Sequence, residues 1–377
     1  MVKKWARKLG KRFFIVANII VSLFFFISIY GSGINSGYWY LGFFSTGSFF
    51  ILLVLLGFML LWLFTSPRYA LIGVLSIVFC WYRIGHLFQF RFSGDFQMSK
   101  NEKAIRVMSW NVKLFNLINY RTAPDKKSEM IGFINEMGPD ILCLQEMAAS
   151  DNIQKAYNYL PDIIDKLGGY NFKYHYNPAH DYGNSHHFGL MIVSRYPIIK
   201  SESISCNRKK YNSTFLFADV VNGADTFRVF NVHLESLRFN DDILRYLEEL
   251  SVDNNNYMGN SKNVFQKMKT GFIERKKQSD FLKKHIDESP YPVIVCGDFN
   301  DVPNSYAYYT IGKGMKNAFA EKGVGLGATF NAISPTLRID NIFCNPSFDV
   351  LQYDRFKNDL SDHFPIVADL SFNKKTD

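Results

Sequence analysis

From Met1 through Arg91 the chain has no aspartate and no glutamate, although it carries 34 acidic residues in its 377. A quarter of a protein without one carboxylate does not read as an ordinary water-exposed domain surface. Its apolar runs, Phe13 to Tyr30, Tyr38 to Phe64 and Tyr69 to Tyr82, explain why. A helix needs about 20 apolar residues to cross a bilayer core of roughly 30 Å, a length the first two runs meet. The third is cut by Arg83 and reaches full length only if Ile84 to Phe90 continues it, with Arg83 snorkelling or paired; otherwise it is a buried or interfacial helix. The expectation is a membrane anchor over 1–91, with spans at 13–30, 38–64 and 69–90. The same lack of acidic residues makes two or three helices a poor ion pathway, which argues against a transporter.

Other absences narrow the chemistry. Five cysteines show no CxxC or zinc-like spacing, so no zinc site is expected. Cys80 lies in the third apolar run. Cys143, Cys296 and Cys344 lie in apolar runs that read as buried strands, and with Cys206 they leave disulfides and compartment open. There is no Gly-rich P-loop, no GxSxG elbow, no internal repeat and no heptad run.

Basic residues, by contrast, are unevenly placed. Lys3, Lys4, Arg7, Lys8, Lys11 and Arg12 precede the first run. No small-x-small cleavage site follows, so an uncleaved anchor is preferred to a signal peptide. Basic flanks stay in the cytoplasm, so the N-terminus should be inside, the uncharged 31–37 loop outside and Arg68 inside. Three spans then put the rest of the chain on the outer, extracytoplasmic face; two would put it in the cytoplasm. Nine of the 43 basic residues fall within the first 91, leaving 34 against 34 acidic ones beyond. The net charge of +9 therefore belongs to the anchor, and nothing argues for long, salt-sensitive tracking along nucleic acid.

After a polar linker at 92–103, strands and helices alternate. Ala104 to Trp110, Ile141 to Leu144, Leu190 to Val193 and Tyr291 to Cys296 read as buried strands, and Phe215 to Val221 with Thr226 to Leu234 as a hairpin. Lys127 to Met137 has helical periodicity stopped by Gly138-Pro139, Asn240 to Asn263 resembles a polar insertion, and Val264 to Ile286 reads as helix. Arg338 to Phe343 and Phe364 to Leu370 add strands, giving a layered α/β core over 104–377.

Six short motifs end or adjoin these strands: Ser109-Trp110-Asn111, Leu144-Gln145-Glu146, Asn231-Val232-His233, Gly297-Asp298-Phe299-Asn300, Arg338-Ile339-Asp340 and Ser361-Asp362-His363. Singly each has a structural explanation: Glu146 can cap a helix, Asp298 and Asn300 can shape a turn, and His233 can be a bonded core histidine. Together, in this order, they resemble the endonuclease/exonuclease/phosphatase superfamily, which includes pancreatic-type deoxyribonucleases, apurinic endonucleases, neutral sphingomyelinases and inositol polyphosphate 5-phosphatases. The resemblance runs from about Ala104 to Phe372, with GDFN and SDHFPI its most specific parts.

It implies a four-layer, DNase I-like α/β sandwich and hydrolysis of a phosphate ester with Mg²⁺, or Mn²⁺. Such chemistry needs charge neutralised on phosphoryl oxygens, an oriented water and a proton for the leaving oxygen. Glu146 is the best ligand for a hard cation, with Asn111 beside it and Asp362 as a further contributor. Asp298 would orient or deprotonate the water, with Asn300 holding the same water or a phosphate oxygen. His363 would face the phosphate, oriented by Asp340, and His233 would stabilise the phosphate or supply the leaving-group proton. His186-His187 are further phosphate-contact candidates, whereas Arg275 and Gln278 are expected on a solvated helix face. The expected substrate is nucleic acid or a lipid head group, with nuclease-like, sphingomyelinase-type and catalytically idle phosphate-binding readings all open.

Overall fold

The computed structural model describes residues 2–34, 38–90, 94–119, 122–150, 165–167, 171–176, 186–207, 213–236, 257–330, 334 and 336–373. Three apolar helices come first, α1 (Val2–Ile34), α2 (Leu41–Thr65) and α3 (Ala70–Leu87). With the turn at Pro67–Tyr69 the third stretch runs Pro67–Leu87, so all three are long and apolar enough to cross a membrane. They pack through Phe25 and Ile29, Leu52 and Leu55, and Cys80, Ile84 and Leu87. Small residues allow close approach, as where Ser32 and Ser45 share a hydrogen bond of 2.8 Å.

The rest of the chain builds two six-stranded mixed sheets. The first contains β1 (Ile105–Asn111), β2 (Ile141–Ser150), β3 (Asn171–Tyr176), β4 (His186–Ser194), β11 (Phe348–Arg355) and β12 (Ile366–Phe372), in the order β11-β12-β1-β2-β4-β3. The second contains β5 (Ile198–Ser205), β6 (Thr214–Asn222), β7 (Asp225–His233), β8 (Val293–Asp298), β9 (Lys316–Asn317) and β10 (Asp340–Cys344), in the order β5-β6-β7-β8-β10-β9. Alternation along each strand divides the core. Ile105 and Val107 of β1 face Ile294, Cys296 and Ile342 of the other sheet, while Met108 and Trp110 turn outward.

Those outward faces are covered by helices, which completes four layers. Met130, Ile131, Ile134 and Met137 of α4 (Lys126–Met137) lie on the first sheet, and Gly138, left-handed at φ 57°, ends that helix. Leu282 and Ile286 of α5 (Tyr257–Asp287) and Ala307 and Ile311 of α6 (Tyr306–Gly312) cover the second. A short α7 (Ala318–Lys322) places Phe319 at the inter-sheet core. Among the described residues every cysteine is a free thiol, and Cys143, Cys296 and Cys344 lie in the core between the sheets.

Helix α5 begins at Tyr257, earlier than the sequence pattern suggested and within the polar insertion read at Asn240 to Asn263; residues 240–256 of that insertion lie outside the described residues. The 94–103 segment is strapped to the first sheet: Arg106 donates to the carbonyls of Gln97 and Met98, at 3.0 and 2.9 Å, and pairs with Asp369 at 2.7 Å.

Gly297 is fixed by packing. Its φ is 144°, and a Cβ there would sit 1.9 Å from the Val232 carbonyl oxygen on β7. Gly297→Ala should cost about 3 kcal/mol or more, because strain and a backbone clash act together. Chemical denaturation of the detergent-solubilised protein measures this, and a loss below about 1 kcal/mol would contradict the close approach.

Candidate active site

The inward-facing rows change character towards one edge of the sandwich. Apolar Val107, Cys143, Val229 and Cys296 give way to buried amides and hydroxyls, and those to charged groups. In the intermediate layer the Gln145 amide donates to Asn231 Oδ1 at 2.7 Å and to Ser109 Oγ at 3.2 Å. The Asn231 amide in turn donates to the carbonyls of Leu144 and Met191, at 2.8 and 2.9 Å. These bonds join the two sheets immediately below the site.

Strand register sets the next layer. Asp298 lies opposite His233 across the parallel β7–β8 pair and opposite Asp340 across the antiparallel β8–β10 pair. From the facing sheet, the Asn111 amide reaches Asp298 Oδ2 at 3.2 Å and Glu146 Oε1 at 3.1 Å. Glu146 sits in a β-bulge with φ 52°, so both Gln145 and Glu146 are available to the facing sheet. His233 Nε2 then lies 3.7 Å from Glu146 and 3.6 Å from Asp298. His363 Nδ1 meets Asp340 Oδ2 at 2.9 Å, and its Nε2 lies 3.7 Å from Asp298 Oδ2. Asn300, left-handed at φ 49°, donates its N–H to Asp298 Oδ1 at 2.8 Å and its amide to the Leu234 carbonyl at 3.1 Å. Asp362 is paired with Lys113 at 2.8 Å.

Burial and crowding move the charges. Asp298 is pushed up to about 6 by burial, with Asp340 adding to the rise and His363 and His233 opposing it. Burial disfavours a charged imidazole at His363, but Asp340 and Asp298 outweigh it and lift the group to about 10. Burial lowers His233 and raises Glu146, the latter against the pull of the Asn111 amide and His363. The site thus holds one imidazole as a cation and prefers the other neutral.

Family models match two stretches. Residues 108–363 fit the Endonuclease/Exonuclease/phosphatase family. The chain belongs to this family. Residues 11–87 fit a model described as Domain of unknown function (DUF8431). No curated protein matches the sequence. A solved endonuclease/exonuclease/phosphatase from Bacteroides vulgatus is 19% identical, with a TM-score of 0.54 over 72% of this chain and 100% of that one. The human Nocturnin catalytic domain with bound sulfate is 19% identical at 0.51, covering 72% and 95%. The corresponding protein of Beutenbergia cavernae is 18% identical at 0.52, covering 72% of each chain. At these identities the likeness shows the fold, that of the endonuclease/exonuclease/phosphatase phosphoesterases.

All eight site candidates of this family member lie at the same edge. Asp298, Asp340 and His363 each offer a ligand atom within 4.8 Å of the others, a group that can hold a metal. The Asp340–His363 hydrogen bond already occupies Nδ1, and oxygen-bearing Glu146 and Asn111 are the better fit to a hard cation. Burial penalises the ionised form of half-buried Glu146, a cost that a divalent ion held there would relieve.

Arg275 and Gln278 do not lie on a solvated face; both are about 1% exposed. Arg275 pairs with Asp301 at 3.0 Å and donates to the Glu235 carbonyl, and Gln278 accepts the Glu235 N–H at 2.8 Å. They clamp the segment after His233 to the segment after Asn300. Helical spacing misled because these polar side chains satisfy loop backbone groups instead of meeting water. Sequence reasoning also missed Lys113 and Thr329. The Thr329 hydroxyl accepts the Ile339 and Asp340 N–H groups, each at 3.0 Å, with no motif to signal it. His186 and His187 open β4, but their side chains lie outside the described residues.

An ordinary histidine titrates near 6.5, so a folded-state value near 10 keeps His363 charged until the pH rises through that range. In metal-free protein, NMR of the imidazole nitrogens should show the cation at pH 8, where ordinary histidine is mostly neutral. Asp340→Asn should move the titration down towards the ordinary range. A neutral ring at pH 8 in the wild-type protein would contradict the charge assignment.

Proposed function

We propose that this protein is a membrane-anchored, Mg²⁺-dependent phosphoesterase whose site is on the extracytoplasmic face. The observation that carries the chemical part is the His233–Asp298–Asp340 row, closed by the cationic His363 and facing Glu146 and Asn111. Glu146 and Asn111, with Asp362 nearby, would hold Mg²⁺ or Mn²⁺. When bound, the ion withdraws charge from the phosphoryl oxygens.

The protein's own residues account for the remaining steps. Asp298, mostly ionised at neutral pH, takes a proton from a water placed with the help of Asn300 as the water oxygen bonds to phosphorus. The charged His363 stabilises the oxygens that gain charge, and Asp340 holds its ring. The phosphorus–oxygen ester bond breaks, and the leaving oxygen receives a proton through His233, which lies 3.6 Å from Asp298. A buried imidazole with a lowered pKa releases such a proton readily. The idle-domain reading has no residue in its favour, because each role in this sequence is filled.

Anchor geometry supports the outer face. Lys11 donates to Ser66 at 2.7 Å, and Lys11 and Arg68 both lie over the Tyr69 ring, which gathers the basic residues at one end of the helices. The catalytic layers meet the opposite end, where Arg83 sits 4.6 Å above Tyr309 and Ser45 donates to the Asn304 carbonyl at 3.2 Å. With the basic end in the cytoplasm, the catalytic domain is outside.

The full chain should hydrolyse bis-p-nitrophenyl phosphate with Mg²⁺ or Mn²⁺ and lose this with EDTA. Asp298→Ala should reduce the rate about 10²–10⁴-fold; activity that survives both treatments overturns the mechanism. For topology, a C-terminal alkaline phosphatase fusion in a bacterial host should be active. A well-expressed but inactive fusion would place the domain in the cytoplasm.

A further inference from the structure

The helices do more than adjoin the catalytic layers; they form a wall of a pocket beside the site. This pocket, of about 230 Å³, is lined by Ser32 and Trp39 from the α1–α2 end and by Ile273, Lys276 and Lys277 from α5, and its floor includes Asp301. Asp301 directly follows Asn300, so the two Cα atoms are about 3.8 Å apart. The seam is tightly closed around the pocket: Phe43 stacks on Phe265 at 5.1 Å, and the Phe272 ring lies where a Cβ on Gly42 would stand.

The same seam fixes which edge of the sandwich faces the bilayer. Asn304, whose carbonyl accepts from Ser45 on α2, is four positions after Asn300, so they are at most about 14 Å apart. The His363 side of the site has its own link. His363 bridges to Phe330, Arg338 donates to the His86 carbonyl at the end of α3, and Gln89 pairs with Gly325. The segment after β8 and the segment before β10 therefore both meet the helix bundle. Tyr38, Trp39 and Tyr40 at the head of α2 are the aromatic residues expected at head-group depth.

We propose that the substrate is an amphiphilic lipid phosphate ester, which enters through this seam pocket with its phosphate at head-group level and its tail in the bilayer. This rests on the phosphoesterase reading and deepens it. Two features of the pocket match such a molecule. Its wall mixes aromatic and aliphatic side chains with two ammonium groups, and those lysines form exposed pairs with Asp280 and Glu274 that a phosphate can replace, while Lys276 also lies over the Tyr306 ring. A site opening at the membrane surface also leaves the apolar tail where it already resides, so no tail is extracted into water.

The test uses the full chain reconstituted in vesicles of phosphatidylethanolamine, phosphatidylglycerol and phosphatidic acid, with bis-p-nitrophenyl phosphate and duplex DNA as soluble substrates. Lipid phosphate ester cleavage is expected. Ile273→Trp, which fills the pocket, and Lys277→Glu, which reverses its charge, should each lower lipid cleavage about tenfold. Cleavage of the soluble ester should stay unchanged in both, which also reports that they fold. The lipid proposal is overturned if wild-type protein cuts the soluble ester or DNA but no lipid, or if the variants lower lipid and soluble-ester cleavage equally or leave both unchanged. Failure on all substrates overturns the phosphoesterase reading with it.

Discussion

The core between the two sheets is continuous with the site, and the alternation of side chains along the strands governs both. On β8 the inward row runs Ile294, Cys296, Asp298; on β7 it runs Val229, Asn231, His233; on β10, read from the far end, Cys344, Ile342, Asp340. A slip of one residue in any of these pairings would move the apolar residues outward and the charged ones away from the site. The hydrophobic energy that holds the sandwich together is therefore also what aligns His233, Asp298 and Asp340. Gly297 is the narrowest point of this arrangement, because β7 leaves no room there for a side chain.

Placing charges at the end of an apolar core has an electrostatic consequence. Water is scarce around Asp298, so its carboxyl rises to about 6, within reach of a base working at neutral pH. The neighbouring His363 meets the same dry surroundings but has two carboxylates beside it, and it rises instead of falling. The amide layer of Ser109, Gln145 and Asn231 stands between the apolar core and these charges. It ties the sheets with hydrogen bonds that would be costly to leave unmade, and so resists separation where the charged groups tend to repel.

Legibility in the sequence followed burial. Strands covered on both faces, such as β1 and β8, were readable as apolar runs, and the site residues were readable because they stand at the ends of those runs. Missed were β3, β5, β9 and β11, which are the four edge strands of the two sheets. Edge strands expose alternate residues, and β5, with its Lys-Ser-Glu-Ser centre, carries too little apolar signal to stand out. Glu146 was identified by its motif, but the bulge that aims it was not, since one extra residue in a strand leaves no compositional mark. Arg275 and Gln278 were misread for a related reason. Helical spacing says which residues share a face, not whether that face meets water or the carbonyl and N–H of Glu235.

The third apolar helix shows how such local ambiguity is resolved by distant partners. Taken alone, Arg83 shortens the run and makes a span doubtful by length. In the fold its guanidinium lies between the Tyr30 ring of α1 and the Tyr309 ring of α6, at 5.7 and 4.6 Å. Three residues on, the His86 ring meets the Tyr308 hydroxyl at 3.1 Å, and its carbonyl accepts from buried Arg338. Arg83 and His86, which weaken the helix as an independent span, thus each have a partner in the catalytic layers. The dependence is mutual, because Arg338 stands two residues before β10, the strand that delivers Asp340 to His363. Under the proposed topology, the helix least able to enter a bilayer alone is the one most engaged with the site.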